Sequence, residues 1–159
     1  MPRRGSEPEA GFTLVEFVAT LAIIGVLAAF AVPRLVDRTG FASRGFYDQA
    51  QALIRYAQKI AVAQRQSPPK SPVFVVIAAG SVSVCYDAAC TTPVIDPSRG
   101  SPLSINAPAG VTISTATFSF SGSGAPSLGA QLPITVSSTG VGDVAHTFYV
   151  EARTGYVHE

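Results

Sequence analysis

The two histidines and the acidic residues near them are the first places in this 159-residue chain to look for catalysis. His146 follows Asp143 by three positions, and Glu151 lies a little further on, so a hydrogen-bonded dyad can be drawn. A catalytic dyad also needs a nucleophile at a recognisable spacing, and no phosphate loop, HExxH motif or nucleophile elbow accompanies it. The pattern is typical of a surface histidine beside an acid. The sequence therefore predicts no enzyme, no cofactor and no metal site around His146 or His158.

The two cysteines, Cys85 and Cys90, have four residues between them. This spacing does not match the CxxC of redox and zinc sites, and no second pair completes a metal site. Cys85 ends a segment of alternating apolar residues, and a turn over residues 86–89 would let the two sulfurs face each other across a hairpin. Two interpretations stay open: a structural disulfide, which requires an oxidising compartment, and a pair of reduced thiols.

Glu16 is a charged residue near the start of a long apolar segment. From Phe12 to Val32 the chain has only three polar side chains, all near the beginning, and Glu16 is one of them. An apolar helix of about 21 residues is long enough to cross the hydrocarbon core of a bilayer. A charge inside a bilayer is costly, so Glu16 needs a partner or a position close to the headgroups. The sequence predicts that residues 12–34 form the transmembrane half of a long helix.

Residues 11–16 read Gly-Phe-Thr-Leu-Val-Glu, and the apolar segment follows directly. This motif resembles the processing site of type IV prepilins and of the pseudopilins of type II secretion. The resemblance implies that a prepilin peptidase cuts between Gly11 and Phe12 and methylates the new amine of Phe12. It also favours an assembly role for Glu16, which would pair with the Phe12 amine of a neighbouring subunit. The alternatives are that Glu16 snorkels to the headgroups or pairs with its own N-terminus.

The next segment, residues 35–66, has the pattern of an amphipathic helix. Apolar residues recur at spacings of three and four, which predicts one buried stripe. The predicted stripe consists of Phe46, Ala50, Leu53, Ala57, Ile60 and Ala61. Tyr47 and Tyr56 are predicted to lie at the edge of the core. The sequence SPPKSP at 67–72 ends the helix.

From residue 71 to residue 159 the pattern changes to period two and to strand-forming residues. Strands are predicted over 72–78, 81–86, 110–120, 132–138 and 146–152, separated by turns rich in Gly, Pro and Ser. The predicted fold class is α+β: after a leader of residues 1–11, a long N-terminal spine helix packs on a mostly antiparallel β domain. The sheet residues are predicted to form one sheet or two.

The predicted function is structural. The soluble part resembles most the minor pilins grouped with type II secretion minor pseudopilins and with the mannose-sensitive haemagglutinin (MSHA) pilus. The resemblance implies a single-pass inner-membrane protein with a periplasmic domain, which later enters a filament. The implied partners are the prepilin peptidase, other major and minor pilins or pseudopilins, and the inner membrane.

Two alternative functions remain, a DNA-uptake minor pilin and a signal-anchored binding protein that does not polymerise. Nucleic-acid binding is not expected, because Arg99 and Arg153 are the only Lys or Arg residues from Ser71 to Glu159. Processing at Gly11 separates the anchored binding protein from the filament subunit, since an anchor does not need it.

Overall fold

The computed structural model describes residues 13–36, 39–65, 72–140 and 144–159. The chain divides into two compact units, Met1–Asp37 and Arg38–Glu159. Among the described residues, every buried apolar residue of the core belongs to the second unit.

Helix α1, Leu14–Val36, is the described element of the first unit. Its start is fixed by Thr13, whose hydroxyl oxygen accepts a hydrogen bond from the backbone N–H of Glu16 at 3.2 Å, as an N-cap residue does. The large apolar side chains from Leu14 to Leu27 are exposed in this unit. Within the described ranges, no helix is both long and apolar enough to cross a membrane.

Helix α2, Thr39–Ala63, is amphipathic as predicted. Five of the six stripe residues are buried, and Ile60 is partly buried against the core. The prediction for Tyr47 was wrong, because this residue is 1% exposed and its ring meets Phe148 edge-on at 5.4 Å. Tyr56, at 39% exposure, does lie at the edge. The buried face of α2 is thus wider than the predicted stripe, because it also includes Tyr47.

Eight strands follow α2 and form two four-stranded sheets in which every neighbouring pair is antiparallel. The strands are β1 Val73–Ala78, β2 Ser81–Cys85, β3 Ser104–Asn106, β4 Val111–Ile113, β5 Ala116–Phe120, β6 Leu132–Ser138, β7 His146–Val150 and β8 Val157–His158. The first sheet has the order β3-β2-β1-β5 and the second the order β4-β6-β7-β8. Helix α2 packs on both sheets, so the fold is α+β with one shared core.

The strand predicted over residues 110–120 is two strands, β4 and β5, in different sheets. The break lies at Ser114, whose backbone N–H donates to the carbonyl oxygen of Thr135 at 2.9 Å, while the N–H of Thr135 donates to the Ser114 hydroxyl at 3.0 Å. These bonds hold the end of β4 on β6, after which the chain crosses to the first sheet. Strands β3 and β8 were not predicted.

Side chains of α2 also bond to the loop at Gly124 and to the last residues of the second unit. Gln58 donates to the carbonyl oxygens of Gly124 and Thr154 at 2.8 and 2.7 Å. Arg55 donates to the carbonyl oxygen of Val157 at 2.9 Å. Arg44 pairs with the Glu159 carboxylate at 2.9 Å. The turn before β8 and the residues after it are therefore held on the helix as well as on β7.

Candidate functional site

The predicted assembly residue Glu16 lies in the first turn of α1, and its side chain is exposed. Gly11 and Phe12, the predicted processing and methylation residues, lie outside the described residues. The structure shows a hydrogen bond between Glu16 and Thr13. The pairing of Glu16 with the Phe12 amine stays a prediction. An exposed carboxylate at this place is available to a cation from another molecule.

The start of α1 provides a local reason for an acid at position 16. Thr13 and Glu16 have the spacing of a capping box, in which the acid three residues after the cap supports the helix start. A carboxylate in the first turn also interacts favourably with the positive end of the helix dipole, by about 0.3 to 1 kcal/mol at an exposed site. The sequence analysis missed this signal, although the Thr-x-x-Glu spacing contains it. Any test of Glu16 must separate the local contribution from pairing between subunits.

A disulfide joins Cys85 and Cys90, whose Cα atoms are 5.2 Å apart. Cys85 is buried at the end of β2, and Cys90 has a left-handed backbone with φ of 56°. Asp87 shapes the loop between them, since its carboxylate accepts the backbone N–H groups of Thr91 and Thr92 at 2.9 and 2.6 Å. The bond from Thr91 is the main reason why the pKa of Asp87 lies below its ordinary value. Of the two interpretations of the cysteines, the structure has the disulfide.

Of the two acids near His146 in the sequence, the structure describes Glu151. Asp143 lies outside the described residues, and Glu151 bonds to the other histidine, His158. His146 is the first residue of β7, and its ring lies 5.6 Å from that of Tyr47. The described surroundings of His146 are therefore those of a residue at the edge of the core.

A polar cluster that sequence reasoning missed surrounds His158 on β8. Its Nε2 atom lies 2.9 Å from the Glu151 carboxylate, which also accepts a bond from Gln131 at 2.7 Å. The imidazole stacks with the rings of Tyr149 and Tyr156, at centroid distances of 5.7 and 5.5 Å. Sequence spacing gives no signal for this cluster, because the β7–β8 pairing brings its members together.

The two charged members of this cluster stabilise each other's charged form. The bond to Glu151 raises the pKa of His158 above 6.5, and the bond from His158 lowers the pKa of Glu151 below 4.5. The contribution of His158 to stability is present below pH 6.5 and is lost as pH rises through its raised pKa. The contribution of Glu151 to stability is present above pH 4.5 and is lost as pH falls through its lowered pKa.

Replacing Glu151 by glutamine is expected to lower the pKa of His158, because the negative charge that stabilises the imidazolium is removed. The pKa is measured from the pH dependence of the His158 ring proton signals in NMR spectra. The matched control is Asp96→Asn, because Asp96 bonds to Ser98 and pairs with Arg99 in another turn. An unchanged His158 pKa in Glu151→Gln would mean that the ion pair does not form in solution.

Comparisons with known proteins agree with the N-terminal motif. Residues 8–32 match the family described as the prokaryotic N-terminal methylation motif. Over 59 residues the chain is 44% identical to the type IV narrow pilus major component PilA5 of Thermus thermophilus, and this match covers 37% of the chain. It covers 51% of that protein, so the chain spans about half the length of this curated relative.

Two crystal structures of the type IV minor pilin FimU of Pseudomonas aeruginosa are also similar to the chain. They are 15% identical to it and cover 74% of its length. The similar regions make up 84% and 88% of the FimU chains, with TM-scores of 0.49 and 0.48.

The matched methylation motif includes the start of α1 and Glu16. Over part of its length the chain is thus similar to a type IV pilin, and it carries the methylation motif.

Proposed function

We propose that this protein is a minor pilin-like structural subunit of an MSHA-like type IV pilus or of a type II secretion pseudopilus. The observation that carries the proposal is the methylation motif over residues 8–32, which contains the Gly11–Phe12 junction and Glu16. A compact globular unit with its own core, residues 38–159, follows this motif, as a subunit displayed on a filament requires.

In this proposal the precursor is anchored in the inner membrane by its N-terminal segment, with the globular unit in the periplasm. The segment from Phe17 to Pro33 has no charged residue, and the large apolar side chains of α1 are exposed in the first unit and in need of a partner. The Cys85–Cys90 disulfide is consistent with an oxidising compartment such as the periplasm.

The prepilin peptidase then removes residues 1–11 and methylates the amine of Phe12. Cleavage creates a cation at the end of the apolar helix, only one turn from Glu16. In the filament this amine pairs with Glu16 of a neighbouring subunit, so both charges are compensated where water is excluded. The described geometry supports the proposal, because Glu16 is exposed at the start of α1.

Replacing Gly11 by valine is expected to leave an uncut precursor, because a side chain at this position would keep the peptidase from the backbone of the scissile bond. Insertion should persist, since the apolar segment is unchanged. Both forms are measured in isolated membranes by intact-mass spectrometry, in which the precursor is heavier by the mass of residues 1–11 and lacks the methyl group.

The matched control is Gly5→Val, which places the same side chain within the leader but away from the junction. Gly5→Val protein should be cut normally. Cleavage of Gly11→Val at the normal rate would contradict the proposed processing site. A wild-type protein that keeps residues 1–11 in its native host would favour the anchored binding protein over the filament subunit.

A further inference from the structure

The segment over residues 151–159, called the strap below, is bonded both to β7 and to α2. Within it, β8 pairs with β7, and the N–H of Glu151 donates to the carbonyl oxygen of Tyr156 at 3.0 Å. Three side chains of α2 bond to the strap: Arg44 to Glu159, Arg55 to Val157 and Gln58 to Thr154. Because β8 has only two residues, the attachment of the strap depends on side-chain bonds as well as on the strand ladder.

His158 is the residue of the strap whose bonds depend on a proton. Its Nε2 atom lies 2.9 Å from the Glu151 carboxylate, and its Nδ1 atom lies 3.0 Å from the carbonyl oxygen of Glu159. An ionised carboxylate and a carbonyl oxygen can only accept hydrogen bonds, so both ring nitrogens have to donate. Both nitrogens carry a proton only in the imidazolium form. The bonds of the strap are therefore those of a charged His158.

A neutral His158 can keep only one of these two bonds, because a neutral imidazole has one N–H and one lone pair. If Nε2 loses its proton, the bond to Glu151 is lost. If Nδ1 loses its proton, the bond to Glu159 is lost, beside the ion pair that Glu159 makes with Arg44 of α2. Loss of the proton thus weakens the strap whichever nitrogen keeps the remaining one.

Other charged and titratable groups surround His158. Those that contact it or the two residues beside it are two acids, two tyrosines and two arginines of α2: Glu151, Glu159, Tyr149, Tyr156, Arg44 and Arg55. The bond to Glu151, followed by the bond to Glu159, raises the pKa of His158 above 6.5. His158 therefore changes from charged to neutral as the pH rises from 6.5 through this raised pKa.

We propose that residues 151–159 are a proton-controlled strap, which is held on β7 and α2 while His158 is protonated and loosens when His158 becomes neutral. Strand β8 is the outer strand of the second sheet, so loosening of the strap uncovers the edge of β7. The strap does not depend on the filament role proposed above.

Amide hydrogen exchange of the full-length chain in detergent micelles, followed by NMR, tests the strap. The reporter is the N–H of Glu151, which bonds to Tyr156 within the strap, and the reference is the N–H of Ser114, which bonds to Thr135 of β6. Each exchange rate is compared with that of an unfolded peptide at the same pH, which removes the direct effect of pH on exchange. Between pH values below 6.5 and above the raised pKa, protection of Glu151 should fall about threefold to tenfold relative to that of Ser114.

His158→Gln and His146→Gln are the matched variants, because these positions are the only two histidines of the chain. His158→Gln keeps a side-chain N–H donor but has no charge to lose, so the fall in protection with pH should disappear. His146→Gln should keep the fall, since His146 begins β7 and lies against Tyr47 of α2.

Three results would each overturn the proposal: protection of Glu151 that does not change with pH relative to Ser114, a fall that persists in His158→Gln, or a fall that is lost in His146→Gln. If His158→Gln disturbs folding, Glu151→Gln takes its place. In that variant the fall should move to lower pH together with the pKa of His158, and a fall at the wild-type pH would also contradict the strap.

Discussion

Gly155→Ala is expected to lower the free energy of unfolding of the globular unit by about 2 to 5 kcal/mol, the sum of a left-handed backbone and an overpacked core. Gly155 has φ of +66°, a conformation that costs about 1 to 2 kcal/mol for a residue with a Cβ atom. The added Cβ would also lie 2.7 Å from Cε1 of Phe120 and 3.0 Å from the carbonyl oxygen of Gly124. Phe120 is fully buried, so its ring has little room to move.

The measurement is urea denaturation of residues 38–159, which contain the whole described core. Gly100→Ala is the matched control, because Gly100 has nearly the same φ, +65°, and no atom within 4 Å of the added Cβ. Gly100→Ala should cost only the backbone contribution, about 1 to 2 kcal/mol. Equal destabilisation by the two variants would show that the contacts of Gly155 with Phe120 and Gly124 do not limit the packing of this turn.

The position of Gly155 explains why so small a change has so large an effect. Its N–H donates to the carbonyl oxygen of Glu151 at 2.9 Å, which closes the turn between β7 and β8. The same turn meets Gln58, whose amide donates to Thr154 and Gly124. Displacement of this turn therefore disturbs the attachment of α2 together with the edge of the second sheet.

Features that depend on local periodicity could be predicted from the sequence. The stripe from Phe46 to Ala61 follows the helical repeat, and its residues are buried or partly buried as expected. Strands β1, β2, β6 and β7 follow the two-residue repeat in segments of five to seven residues.

Features that depend on distant contacts could not be predicted. The continuous apolar alternation over residues 110–120 gives no sign that the chain changes sheets after Ser114. The end of β4 is set by the hydrogen bonds between Ser114 and Thr135 of β6, which is distant in the sequence. Strand β3 has three residues and strand β8 two, so neither forms a repeat. The pairing of Glu151 with His158 likewise arises only when β7 and β8 meet.

The motif at residues 11–16 was readable from the sequence for a different reason: its residues are contiguous in the chain, so it does not depend on contacts made by folding. Its physical meaning was only partly readable. The hydrogen bond from the N–H of Glu16 to the Thr13 hydroxyl shows that position 16 also lies at a helix start. Glu16 therefore has two candidate roles, one within its own helix and one between subunits, and they differ in size.

Under the proposed function, Glu16→Val is expected to abolish incorporation of the processed protein into filaments, while cleavage at Gly11 and membrane insertion persist. Removal of a carboxylate makes insertion easier, and the junction upstream is unchanged. In the assembled filament, however, the Phe12 amine of the neighbouring subunit would lose its partner, at a cost of about 3 to 5 kcal/mol in a water-excluded contact. Incorporation is measured as the amount of the protein in sheared filaments, relative to the amount in the membrane, and should fall at least about 100-fold.

Glu16→Gln decides between the two roles, because it keeps the size of the side chain and an oxygen that can accept a bond at the helix start but removes the charge. The local contribution of Glu16 to α1 is at most about 1 kcal/mol, which is too small for a 100-fold loss. If pairing between subunits is the function, Glu16→Gln should fail like Glu16→Val, and Glu16→Asp, which keeps the charge on a shorter side chain, should be partly incorporated. If Glu16→Gln enters filaments at the wild-type level, the charge has no partner there, and Glu16 acts only at the start of its own helix.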